Sequence, residues 1–189
     1  MPAVAALYRY PLKGFTPESR TALAVRADGR VAGDRVLNFR FADAPVADDA
    51  WCRKTHGVVL VNTPGLARLA VRFDDDAQRL RIALGDTVLA DEGLDAGGRG
   101  RLVAALTRYL GTLDENPLQV HPERLPLKLV GDATTPRYQD TPAGQVTLHG
   151  RGSLAAAGAA LGHPQLNELR FCSNIAIAVG DAVTLLDAA

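Results

Sequence analysis

The sequence predicts a mainly β fold with helices, an α+β class built on a β-barrel-like core. Short apolar runs recur along the chain, bounded by Gly, Asp and Pro turn signals. Two stretches carry helical spacing. The strands do not alternate regularly with helices, as they would in a doubly wound parallel sheet. The chain has 189 residues, 47% of them hydrophobic. That is enough for one ordinary domain or two small lobes sharing a core, and too apolar for a disordered chain.

The elements follow in order. Val4 to Tyr10 reads as a strand with Tyr8 and Tyr10 on one face, stopped by Pro11. Thr21–Val25 and Arg35–Phe41 read as strands separated by the turns Asp28-Gly29 and Gly33-Asp34. In the second, Val36, Asn38 and Arg40 alternate with Leu37, Phe39 and Phe41, the period of a half-buried strand. Gly57–Val61 is a further short strand, and Asn62-Thr63-Pro64-Gly65 starts a turn. Leu69–Phe73 and Leu80–Leu84 form a hairpin around an acidic turn that lacks the spacing of a calcium loop. Thr87–Ala90 adds a strand.

At Gly98–Leu110 the period changes. Leu102, Leu106 and Leu110 fall on one face of a helix that Gly111 ends. Leu118–His121, Leu127–Val130 and Val146–His149 read as strands, and Asp132–Pro142 as a polar loop. Ser153–Leu161 is an Ala-rich helix with Ser153 as N-cap and Gly162 just past its end. Ile175–Val179 and Ala182–Leu186 close the chain as strands around Gly180-Asp181. A domain boundary is expected near Gly111–Pro117.

Charge and cysteine usage exclude several functions. With 21 basic and 21 acidic residues the chain is neutral, so no nucleic-acid partner is expected. No apolar run approaches a membrane span, and the N-terminus lacks a signal peptide's basic and apolar regions; no membrane partner and a cytoplasmic, reduced location are expected. Cys52 and Cys172 are too few for a disulfide scaffold or a zinc knuckle, and the four histidines lie far apart, so no metal ligands are assigned. The glycines at 97, 98 and 100 read as a helix entry rather than a phosphate loop, since no fingerprint strand precedes them. Only Lys13, Lys54 and Lys128 are lysines against 18 arginines, which makes each lysine worth inspecting.

Two stretches carry more information. The first is Tyr10-Pro11-Leu12-Lys13-Gly14, followed by Gly33-Asp34-Arg35. The second is Ser153-Leu154, followed by Arg170-Phe171-Cys172-Ser173-Asn174-Ile175. Together they resemble the MOSC superfamily, named after the C-terminal part of molybdenum cofactor sulfurase. Its signatures are Y-P-[VI]-K-[SG], G-[IVL]-x-[GN]-D-R and S-L…R-F-R-x-N-[IV]. The resemblance implies a MOSC-like β-barrel, with an N-terminal barrel module over residues 1–115 and a trimmed core over 116–189 that together can form one unit. It also implies a small anionic ligand of the molybdenum cofactor (molybdopterin) type, in a sulfur-transferase or oxidoreductase context. No covalently bound pyridoxal phosphate is expected.

The matching residues are Lys13, Arg35, Ser153, Arg170 and Asn174, the cofactor-binding candidates. Fixed cations suit an anion. Each also has a plain structural reading. Lys13 reads either as a barrel-rim cation or as a solvated lysine, and Arg35 either as a rim cation or as the ion-pair partner of Asp34. Ser153 serves as a helix cap, Arg170 as a partner of Asp140, and Asn174 as a backbone tie.

The departures weigh more. Cys172 stands where relatives carry the second Arg, exchanging a permanent cation for a thiol. Fifteen residues follow Asn174, where relatives have a long segment bearing the sulfur-carrying cysteine. The chain resembles a MOSC protein with an internal deletion, whose tail Ile177 to Thr184 is similar to the family's closing strand. Cys172 is the candidate catalytic thiol, with Arg170 two residues away on a strand to lower its pKa; the alternative is a buried, inert cysteine. Cys52, beside Arg53 and Lys54, is expected to be exposed. A degenerate, non-catalytic binding or interaction module is the second functional reading, and self-association as a homo-oligomer would cover a sheet edge left open by the deletion.

Overall fold

The computed structural model describes residues 3–178. Among them are nine strands and three α-helices, an α+β fold. The expected strand Ala182–Leu186 and turn Gly180-Asp181 lie outside the described residues.

The first sheet joins the two ends of the described chain. Strand β1 (Ala3–Arg9) pairs antiparallel with β2 (Glu18–Arg20) on one side and with β9 (Ile175–Ala178) on the other. Strand β8 (Leu148–Gly150) lies parallel to β9, so the order is β2-β1-β9-β8. A second sheet pairs β3 (Asn38–Arg40) with β7 (Lys128–Val130). The third is a meander of β4 (Leu69–Asp74), β5 (Arg79–Leu84) and β6 (Thr87–Gly93). Pairings β1–β9 and β3–β7 both cross the position expected for a domain boundary.

The meander and the long helix follow from their patterns. In β4, Leu69, Val71 and Phe73 are buried while Ala70, Arg72 and Asp74 are exposed, the period of a half-buried strand. Asp74 accepts from the Asp76 and Ala77 amides and so closes the hairpin turn. Helix α1 (Ala96–Leu110) lays Leu102, Leu106 and Leu110 into the core cluster that also holds Phe39, Leu80 and Ile82. Asp95 caps it by accepting from the Gly98 amide. Gly98 is needed there, since a Cβ would lie 2.0 Å from the Gly93 carbonyl oxygen.

Several expected elements take other forms. Thr21–Val25 is not a strand; the ladder comes earlier, at Glu18–Arg20, because buried Glu18 bonds Arg9 and the Phe73 amide. Val25 makes only an isolated bridge to Val31. Gly57–Val61 is likewise an isolated bridge, Arg40 to Gly57, followed by a turn that the Asn62 side chain closes. Leu118–His121 belongs to the one-turn helix α2 (Pro117–Val120), which Asn116 caps ahead of Pro117. Arg35–Phe41 yields strand only at its centre and is not half-buried. Asn38 and Arg40 are as buried as Phe39, because Arg40 donates to the Val46, Ala47 and Ala50 carbonyls.

Helix α3 (Arg151–Ala160) starts two residues before Ser153. Gly150 is its N-cap, without a side-chain bond, so Ser153 is an exposed first-turn residue rather than the cap. Its end is as expected, with Gly162 at φ +70°. Arg170 and Cys172 do not share a strand face. Glu168–Phe171 forms a 3₁₀ turn, and Cys172 follows in the left-handed region at φ +50°.

That turn is tied to its surroundings through Glu168. Arg151 donates two bonds of 2.8 Å to its carboxylate, and the Tyr8 hydroxyl a third of 2.7 Å. Hydrogen bonding from Arg151 foremost holds the Glu168 carboxyl down at about 2. A depressed carboxyl contributes stability above its ordinary value, lost as pH falls through the folded value. Arg151→Ala is therefore expected to move the Glu168 midpoint up toward the ordinary glutamate range, read by carboxyl carbon NMR. An unmoved midpoint would contradict this assignment.

Candidate functional site

Strand β1 ends at Arg9, and Tyr10-Pro11-Leu12-Lys13 runs on beside the segment leading into β3. Leu12 bridges Leu37, and the Lys13 amide donates to the Leu37 carbonyl at 2.9 Å. Gly14 then turns the chain at φ +73°, where a Cβ would lie 2.4 Å from Val59 Cγ1. This turn sends the Lys13 side chain inward.

Lys13 is therefore neither a rim cation nor a solvated lysine; it is 2% exposed. Its ammonium donates to the Cys52 and Gln139 carbonyls, each at 3.0 Å, and sits 5.7 Å from the Trp51 ring centroid. Trp51 Nε1 donates to the same Gln139 oxygen at 2.7 Å. Burial lowers the Lys13 pKa, with Lys54 and Arg35 adding to the effect and Cys52 and Asp140 opposing it. No carboxylate pairs with Lys13 among the described residues.

Arg35 forms the ion pair with Asp34 that adjacency suggested. Its other terminal nitrogen donates to the Cys172 carbonyl at 2.7 Å, and its guanidinium carbon lies 4.8 Å from the Tyr10 ring centroid. Burial opposes the charge on Arg35, but Asp34 outweighs it and the pKa is raised. Asp34 is saturated: it also accepts from the Tyr10 amide at 2.7 Å and from Asn174 Nδ2 at 3.0 Å. Asn174 is a fully buried tie, as expected. Nδ2 also donates to the Tyr8 carbonyl, and Oδ1 accepts from Thr147.

The structure gathers Lys13, Arg35 and Asn174 at one corner and adds Lys54. It does not add Ser153 or Arg170. Ser153 is on the exposed first turn of α3. Arg170 is exposed, and its expected partner Asp140 pairs instead with Lys54 at 3.1 Å. Cys172 does join the corner: burial raises its thiol pKa, while Arg35 and Lys54 pull it down. Cys52 is 1% exposed rather than surface-borne, and its sulfur accepts from Asn38 Nδ2 at 3.2 Å.

Sequence reasoning placed neither Trp51, Lys54 nor Gln139 in the candidate site, and gave Asp140 to Arg170 instead of Lys54. The scarcity of lysine and the single tryptophan next to Cys52 were the available signals.

Of the three cations at this corner, Arg35 is paired with Asp34 and Lys54 with Asp140, and Lys13 alone has no carboxylate partner among the described residues. The Lys13 ammonium has three protons and two carbonyl partners, and Lys54 is half-exposed. The thiols do not fit a molybdenum-ligating thiolate. Cys52 is enclosed, Cys172 is held in its protonated form by burial, and Arg35 addresses the Cys172 carbonyl rather than its sulfur. No group of three or more His, Cys, Asp or Glu suited to a metal exists among the described residues. A scan against protein-family models, a search of curated proteins and a search of solved structures each found no match.

Proposed function

We propose that this chain is a MOSC-type protein that binds a small anionic ligand, of the molybdopterin type or another phosphate-bearing molecule, at the Lys13–Arg35–Lys54 corner. On this reading, the first and second sheets are remnants of the family's barrel. One observation carries it: Lys13 is a buried ammonium with a spare proton and no carboxylate partner among the described residues. An uncompensated buried charge is costly, and an incoming oxyanion would offset that cost.

The corner acts as a binding site rather than a sulfur-transfer centre. A thiol kept protonated is a poor nucleophile and a poor persulfide carrier. The sulfur-transferase or oxidoreductase activity implied by the resemblance is therefore not proposed. Exposed Val4 and Leu148 on the first sheet support self-association as an accompanying property.

The test is ligand-dependent stabilisation of the purified chain, with inorganic phosphate, pyrophosphate and a pterin phosphate ester as probes. Saturable stabilisation by a phosphate-bearing probe is expected, weakened at least about tenfold by Lys54→Met. No stabilisation by any of the three would overturn the proposal. Metal analysis is expected to find no stoichiometric molybdenum in protein isolated from its own host; near-stoichiometric metal would overturn the non-catalytic part.

A further inference from the structure

A cleft of about 400 Å³ lies away from the Lys13 corner, between the loop after β2, the β4–β5 turn and the loop after β7. Its size is that of a pocket for a small metabolite. Its apolar surface is made of small groups, Ala22, Ala24, Ala32 and Ala133, with Leu23. Its charged groups are of both signs and differ in how fully they are engaged.

Arg9 forms part of the wall but is largely engaged, with four of its five guanidinium N–H groups bonded. Its guanidinium bonds Glu18, Asp75 and the Phe73 carbonyl. Gly33 passes directly over it, where a Cβ would lie 2.6 Å from an Arg9 nitrogen. Arg9, Glu18 and Asp75 together carry one net negative charge. That charge reaches the cleft through Asp75, whose Oδ2 takes the Arg9 bond and whose Oδ1 accepts no hydrogen bond among the described residues. Arg20, in contrast, is exposed and has no hydrogen-bond or ion-pair partner among its described neighbours. The Thr134 hydroxyl likewise has no partner among the described residues.

The cleft is thus lined by Arg20, unpartnered among the described residues, by Asp75 with one oxygen unbonded among them, and by small apolar side chains; the charge of Arg20 and that of the Arg9–Glu18–Asp75 group sum to zero. A monoanion would satisfy Arg20 but leave Asp75 facing it, and a monocation would meet the reverse. The geometry points to a zwitterion of amino-acid size as the ligand: its carboxylate on Arg20, its ammonium on Asp75, and a short aliphatic side chain on the alanines. Guanidinium and carboxylate pair in planar, two-bond geometry, which orients such a ligand.

The experiment is an NMR titration of the ¹⁵N-labelled full chain with three probes that share one apolar body: L-leucine, 4-methylpentanoate and 3-methylbutylamine. Leucine is expected to give saturable shifts at the Arg20, Asp75 and Thr134 amides, with both singly charged analogues at least about tenfold weaker. Arg20→Gln, a surface change that leaves the Arg9 network intact, is expected to weaken leucine by at least about tenfold, and Thr134→Val by less. Three results would each overturn the assignment: no saturable shift with leucine, equal binding of 4-methylpentanoate, or unchanged leucine binding in Arg20→Gln. None of them bears on the phosphate site, since Lys13 and Lys54 do not line this cleft.

Discussion

Replacing Asp34 with alanine is expected to destabilise the protein by about 3–5 kcal/mol, the usual effect of removing one partner from a buried ion pair. Asp34 is 1% exposed and holds three different segments at once. Its carboxylate takes the Tyr10 amide after β1, the Arg35 guanidinium and the Asn174 side chain ahead of β9. Alanine leaves Arg35 charged, 7% exposed and held only by the Cys172 carbonyl and the Tyr10 ring. Asp34→Asn keeps an acceptor for Tyr10 and so is expected to cost less. The double variant Asp34→Ala/Arg35→Met removes the stranded charge and should recover part of the loss. Urea unfolding of the three variants measures this. A loss below about 1 kcal/mol in Asp34→Ala would show that the carboxylate is dispensable to the fold.

The Asp34–Arg35 pair was legible because its members are neighbours in sequence; the position of Lys13 was not. The carbonyls that hold its ammonium lie 39 and 126 residues away, and nothing local marks a carbonyl as an acceptor. The same reason divides the fold. The β4–β6 meander and helix α1 each bury one face, so their side-chain period is visible in the chain. The segment from Val36 to Phe41 buries both faces. There the polar alternates are no guide to exposure, because the loop that follows β3 folds back and supplies three carbonyls to Arg40. Alternation reports a solvent boundary, and this segment has none. The turn before Cys172 misled for another cause. Asn167 accepts from the Leu169 amide and starts a 3₁₀ turn where the resemblance puts Arg170 and Cys172 on one strand. Cys172 thereby lost the strand-face relation to Arg170 on which its activation depended.

Lys13 gives the chain a distinctive response to alkali. Burial lowers its pKa in the folded protein, whereas the unfolded chain titrates at the ordinary lysine value of 10.5. Between the lowered value and 10.5 the unfolded state binds more protons, so this group makes stability rise with pH. Other buried groups act the opposite way. Burial pushes Tyr138 up to about 12 and raises Tyr10 and Cys172 as well, so each keeps its proton in the fold after the unfolded chain has lost it. Those groups make stability fall over the same alkaline range. The whole curve therefore hides the lysine, and the difference between wild type and Lys13→Met isolates it. Lys13→Met fills similar volume without charge, and Trp51 still serves the Gln139 carbonyl. At neutral pH the variant is expected to be at least as stable as wild type, because the desolvated ammonium is gone and only the Cys52 carbonyl loses its donor. Wild type should then gain on the variant as pH rises toward 10.5. Urea midpoints of both proteins, measured from pH 7 to 10.5, give this difference directly. A difference that stays flat would mean that Lys13 keeps ordinary lysine behaviour, and would remove the uncompensated charge on which anion binding at this corner depends.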